Sequence, residues 1–119
     1  MTSARETRNE LIGLGRHLRE AIPGVYAGYA QLHNAAMGDG VLPARVKELI
    51  ALAIAVTREC DGCVAAHARG AALRGATAQE VAEAMGVAIQ MNGGPATVWA
   101  PRAYAAFEEF ADGSNRPGS

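Results

Sequence analysis

The sequence predicts an all-α fold: a compact bundle of about six helices, with a Cys-x-x-Cys pair at the start of one, completed by oligomerisation. Three observations carry this prediction. Apolar residues recur at spacings of three and four along most of the chain, and no stretch alternates convincingly with period two. Pro and Gly clusters punctuate those runs at 23–24, 38–40 and 93–95. Half of the 119 residues are hydrophobic and 19% are charged, as expected of a folded globular chain.

The first helix is expected over about Arg5 to Ala21. Leu11, Leu14 and Leu18, with Ile22 just after, form its apolar stripe, and Pro23-Gly24 stops it. The second runs from about Val25 to Met37, with Val25, Tyr29, Leu32 and Ala36 on one stripe. Gly38-Asp39-Gly40 turns the chain. His33 here and His17 before it read as ordinary surface or packing histidines, since neither has a nearby partner in sequence.

The third helix begins at Leu42-Pro43, proline being favoured at the first helical position. Ala44 to Thr57 is so apolar that it reads as buried on most sides, and Glu48 stands out within it. The fourth helix runs from about Cys60 to Leu73, with Gly75 as its C′ residue. Thr77-Ala78-Gln79-Glu80 has the form of a capping box and opens a fifth helix to about Met91, with Val81, Met85, Ala88 and Ile89 on its apolar face. A sixth runs from about Ala96 to Phe110, with Trp99, Ala103, Tyr104 and Phe107 on one side. Residues 1–111 are expected to form one domain and 112–119 a flexible tail. The many alanines supply little volume, so the core is expected to be completed by homo-oligomerisation. Trp99, Tyr104, Phe107 and Phe110 suit either a subunit interface or an intrachain core.

The formal net charge is −1, with no basic stripe, so nucleic acid is not an expected partner. The N-terminus is polar, and the most apolar run, Leu49 to Val56, is far short of the ~20 residues a membrane span needs. A cytoplasmic location, with no membrane partner, is the resulting expectation. In a reducing compartment, two cysteines placed as Cys-x-x-Cys suggest catalysis or metal binding rather than a structural staple.

The chemistry concentrates in Cys60-Asp61-Gly62-Cys63-Val64-Ala65-Ala66-His67. Cysteines at i and i+3 and a histidine at i+7 share one helix face. A helix starting at Cys60 stabilises a thiolate in its first turn through unpaired N–H groups and the macrodipole. His67, one turn past Cys63, suits the role of base. If the third and fourth helices form a hairpin reversing near Arg58, Glu48 and His67 lie ~15 and ~14 Å from the turn. They are then nearly level, which allows a relay from Glu48 through His67 to Cys63. Glu48 also fits the polar edge of its helix as a plain surface residue.

The cysteines admit several readings. A c-type haem site requires His directly after the second Cys, where Val64 stands. A thioredoxin fold needs strands that are absent from the pattern. A zinc site would use Cys60, Cys63 and His67 but needs a fourth ligand from Glu48, Asp61 or another subunit. Two unused core cysteines are the bland alternative. The leading reading is a helical dithiol/disulfide enzyme whose thiolate attacks a peroxide oxygen or a disulfide sulfur, the second cysteine resolving the product as a disulfide.

The chain resembles the carboxymuconolactone decarboxylase-like superfamily, and within it the AhpD-type alkylhydroperoxidase core. The resemblance rests on Lys47-Glu48-Leu49-Ile50-Ala51-Leu52-Ala53, on Cys60-Asp61-Gly62-Cys63 with His67, and on Ala71, Gly75-Ala76-Thr77 and Glu80-Val81, within about residues 30–110. It implies an all-helical trimer or hexamer whose cysteine pair cycles between dithiol and disulfide without a bound cofactor or metal. By that analogy Cys63 is the peroxide-reacting thiol, His67 and Glu48 its relay, and Cys60 the resolving thiol, more exposed to the reductant. The substrate is then a small hydroperoxide or disulfide, and the redox partner a peroxiredoxin or a lipoamide-bearing protein. Gly62 stands where AhpD itself often has a second histidine. The cysteine pair argues against a decarboxylase, since true carboxymuconolactone decarboxylases generally lack it. A zinc-holding oligomeric module and a lactone decarboxylase-like enzyme that does not use the thiols remain the alternatives.

Overall fold

The computed structural model describes residues 3–113. They form six helices: α1 (Ala4–Ala21), α2 (Pro23–Met37), α3 (Ala44–Thr57), α4 (Asp61–Leu73), α5 (Ala78–Asn92) and α6 (Gly94–Gly113). The all-α expectation and its six segments hold.

The helix ends follow from local chemistry. Ser3 caps α1, its Oγ accepting the Glu6 N–H at 3.1 Å. The Glu109 carboxylate of α6 accepts the N–H groups of Ala4 and Arg5 at 3.1 and 2.9 Å. A negative charge thus sits on the positive end of α1 and ties α1 to α6. Pro23 does not open a loop. It occupies the first turn of α2, where its missing N–H leaves nothing unpaired, so α2 starts two residues before the expected Val25. Pro43 is the cap residue of α3 rather than its first helical residue, with ψ at 150°. Asp39 Oδ1 supplies the missing acceptor by taking the Ala44 N–H at 2.7 Å.

Both ends of α4 are built by one device. At the end of α3, Glu59 takes a positive φ of 53°, its N–H reaches the Val56 carbonyl and the Cys60 N–H reaches Ala55. At the end of α4, Gly75 has φ of 84°, its N–H reaches Ala72 and the Ala76 N–H reaches Ala71. These are paired Schellman motifs. The second uses the expected glycine; the first uses a glutamate, which no sequence rule picks out. Thr77 and Glu80 then form the expected capping box of α5. Backbone and side-chain hydrogen bonds from Thr77, with Arg45 nearby, hold the Glu80 carboxyl below its ordinary pKa.

The core lies where α4 packs on α6, α3 and α1, and α5 on α6 and α3. Leu52, Val56 and Val81 are its largest fully buried side chains. Alanines at 55, 68, 71, 88, 96, 100, 103 and 106 supply most of the rest and let the helices approach closely. Phe107 is buried, and Trp99, Tyr104 and Phe110 pack against the same core, so these aromatics serve the intrachain core. Two expectations need correction. α3 is not buried on most sides, because Ile50 and Ile54 are about half exposed at 47% and 56%. Neither α1 nor α2 has a buried residue, so their stripes, including Leu14, Leu18, Tyr29 and Leu32, lie open in the chain. Helix α6 continues past residue 111 to Gly113, and 114–119 of the expected tail lie outside the described residues. No helix among the described residues is long and apolar enough to cross a membrane.

Candidate active site: a helix-start disulfide and a buried Glu–His pair

Cys60 is the N-cap of α4, because the Schellman turn after α3 delivers it there in an extended conformation. Its Sγ accepts the Cys63 N–H at 3.2 Å, so the sulfur occupies the place of a capping oxygen at the positive end of the helix. Cys60 and Cys63 are joined as a disulfide, with Cα atoms 5.2 Å apart. Cys63 is exposed and Cys60 half-buried in the chain, the reverse of the order that the family resemblance implies.

One turn after Cys63, His67 Nδ1 lies 2.7 Å from Glu48 Oε1, across the α3–α4 hairpin. The near-level placement read from the sequence is therefore met. Glu48 is 6% exposed, the single buried charged residue among those described, so it is not a surface residue of α3. An ionised carboxylate only accepts hydrogen bonds, so it places a proton on Nδ1, and in the neutral imidazole Nε2 then keeps the lone pair. That is the tautomer a base needs. Among the described residues no hydrogen bond joins His67 to Cys63.

Gly70 makes room for the pair. A Cβ built on it would overlap the Glu48 carboxylate. Gly62 has a similar cause: a Cβ there would lie 2.6 Å from Leu11 Cδ1 of α1. A side chain at 62 would require that exposed leucine to shift.

A cavity of about 440 Å³ opens beside the pair. Arg8 of α1, His33 of α2 and Arg69 and Arg74 at the far end of α4 line it with Glu48 and His67. Burial, and then the nearby Arg69 charge, lower the pKa of Arg8. None of this was legible beforehand. His33, read as ordinary, lines this cavity, and Arg8 reaches it from a point in the chain distant from Arg69 and Arg74. Gly70 did offer a signal, being a mid-helix glycine one turn after a candidate base. A second cavity, of about 370 Å³, lies on the other side of α4 between α1 and α6. Asp61, Trp99, Arg102 and Glu109 line it; Glu48, Cys63 and His67 do not. Among the described residues, no three His, Cys, Asp or Glu side chains converge to hold a metal, so the zinc reading gains no ligand set.

The fold and this site define a helical bundle with a half-cystine cap at a helix start and a buried carboxylate–imidazole pair one turn on. The chain belongs to the carboxymuconolactone decarboxylase family, whose model matches residues 23–109. It is similar to an apo carboxymuconolactone decarboxylase family protein from Legionella pneumophila. That crystal structure is 35% identical, with a TM-score of 0.87 over 91% of this chain and 96% of the other. Two uncharacterised proteins are also similar. One, from Cupriavidus necator, is 42% identical over 76% of this chain and 80% of its own length. The other, from the cox locus of Paracoccus denitrificans, is 37% identical over 69% of this chain and 74% of its own length.

Proposed function

We propose that this protein is a thiol-dependent antioxidant oxidoreductase that reduces a hydroperoxide, or a partner's disulfide, by cycling Cys60 and Cys63 between dithiol and disulfide. The observation that carries this reading is the buried Glu48–His67 pair, 2.7 Å apart, one turn past a disulfide at a helix start.

In the reduced protein, His67 Nε2 takes the Cys63 proton. The thiolate attacks the outer peroxide oxygen and the O–O bond breaks. The alkoxide leaves as alcohol with the proton that His67 returns, and Cys63 becomes a sulfenic acid. The Cys60 sulfur then attacks Cys63, water leaves, and the disulfide forms. Dithiol and hydroperoxide have thus become disulfide, alcohol and water. An external dithiol must restore the pair; a peroxiredoxin cycle or a lipoamide-bearing protein is the proposed class of redox partner. Glu48 acts through His67, fixing its tautomer and stabilising its charged form. The exposed stripes of α1 and α2 support a homo-oligomer, and the reaction is proposed to run in the cytoplasm.

The test is thiol titration with intact-mass analysis of the reduced protein, before and after one equivalent of cumene hydroperoxide. Loss of both thiols with a mass decrease of two hydrogens is expected. Free thiols and an unchanged mass would remove the peroxidase reading. Cys63→Ser should abolish reductant-dependent peroxide consumption, and retained turnover would point to chemistry that does not use the thiols.

A further inference from the structure

We infer that the cavity beside Glu48 and His67 is an oxyanion site, and that the substrate is an extended molecule with a carboxylate or phosphate at the end remote from its reacting group. The inference deepens the proposed function and rests on it for the identity of the reacting group, though not for the site itself.

The argument begins with charge. Arg8, Arg69 and Arg74 line a cavity whose single carboxylate, Glu48, already holds His67. None of the three arginines has an ion-pair partner among the described residues, where the ion pairs are Arg45 with Glu80 and His67 with Glu48. Arg8 and Arg69 are half-buried, and the Arg69 charge reaches Arg8. Like charges held together in a partly desolvated pocket repel, and a bound anion relieves that repulsion. Guanidinium forks match the planar oxygens of carboxylate and phosphate. Arg69 stands on α4 itself and Arg74 is its C-cap residue, so both are placed by the helix that carries the thiols.

Geometry then sets the substrate's length. Cys63, His67, Gly70 and Arg74 follow one another along one stripe of α4. At 1.5 Å per residue, Arg69 lies ~9 Å and Arg74 ~16 Å along the axis from Cys63. His67 lines the cavity and Cys63, outside the lining, lies one turn before it on α4, so the inferred substrate's chain is to run from the arginines past His67 toward Cys63. A short neutral peroxide would use the thiols without the site.

The experiment is calorimetric titration of the disulfide form of the full-length protein with octanoate, octyl phosphate and octanamide. Variants Arg8→Gln and Arg69→Gln are compared, with folding checked by circular dichroism. Arg102→Gln, in the second cavity, is the control. Octanoate or octyl phosphate should bind at least about tenfold more tightly than octanamide, as hydrogen bonds between charged partners require. That preference should shrink in both cavity variants and survive in the control. The tighter of the two anions identifies the head group as carboxylate or phosphate. Equal binding of all three ligands would overturn the inference. So would a preference untouched by both substitutions, or variants that alter only the assembly size.

A kinetic arm separates this inference from the reading beneath it. The reduced protein should consume 8-hydroperoxyoctanoate with a lower KM than the corresponding amide. Anion binding without any peroxide consumption would sustain the site and sink the peroxidase. Peroxide consumption with no preference for the anion would do the opposite.

Discussion

Gly70 shows at residue scale how the site is held. On an ordinary helix, Gly→Ala gains about 1 kcal/mol. Here the added methyl meets the Glu48 carboxylate, and overpacking a buried group costs about 1–3 kcal/mol. Gly70→Ala should therefore lower stability rather than raise it, and also disturb the pair; a raised denaturation midpoint would contradict this. Glu48→Gln should preserve the hydrogen bond but not the charge. It is expected to slow peroxide reduction by up to about 100-fold and to shift its pH profile. An unchanged profile would make Glu48 purely structural. The pair itself was legible because both residues lie at known heights on predicted neighbouring helices. The arginines were not, because Arg8 and Arg69 come from α1 and α4 and nothing local links them.

At the scale of the element, the joint between α3 and α4 does most to place the chemistry. Cys60 closes the Schellman turn of one helix and caps the next, so one residue sets the register of both. Glu59 holds the left-handed position that this turn requires. Glu59→Gly should stabilise the protein by about 0.5–1 kcal/mol by removing the Cβ conflict, less the glycine's own entropy cost. Chemical denaturation checks this, and a destabilised variant would mean that the glutamate side chain has another role. Helix identities were legible from periodicity and from the Thr77–Glu80 capping box. Boundaries shifted where proline was involved, because proline tolerates both the cap and the first turn. Pro43 took the first and Pro23 the second.

Across the whole molecule, the apolar stripes divide into two populations. Those of α5 and α6 are largely buried within the chain; those of α1 and α2 stay largely exposed, although Leu11 lies against Gly62 of α4. Periodicity reveals a stripe but not what covers it, which is why the C-terminal aromatics suited a subunit interface and an intrachain core equally well. Leu14 and Leu32 are 66% and 63% exposed in the chain. Leu14→Glu with Leu32→Glu should leave the subunit folded and reduce the proposed homo-oligomer to monomer in light scattering. Assembly of undiminished size would place the contact elsewhere.

The alanine core has a consequence for how this protein can vary. A methyl group cannot be trimmed far, so truncation has little to remove at Ala68, Ala71, Ala96 or Ala103, all fully buried. Enlargement is another matter, since helices already in close approach must separate to admit each added carbon. Variation in the interior is therefore one-sided. Drift can thin this bundle more easily than thicken it, and the helix spacing that holds Glu48 level with His67 is guarded by residues too small to attract notice.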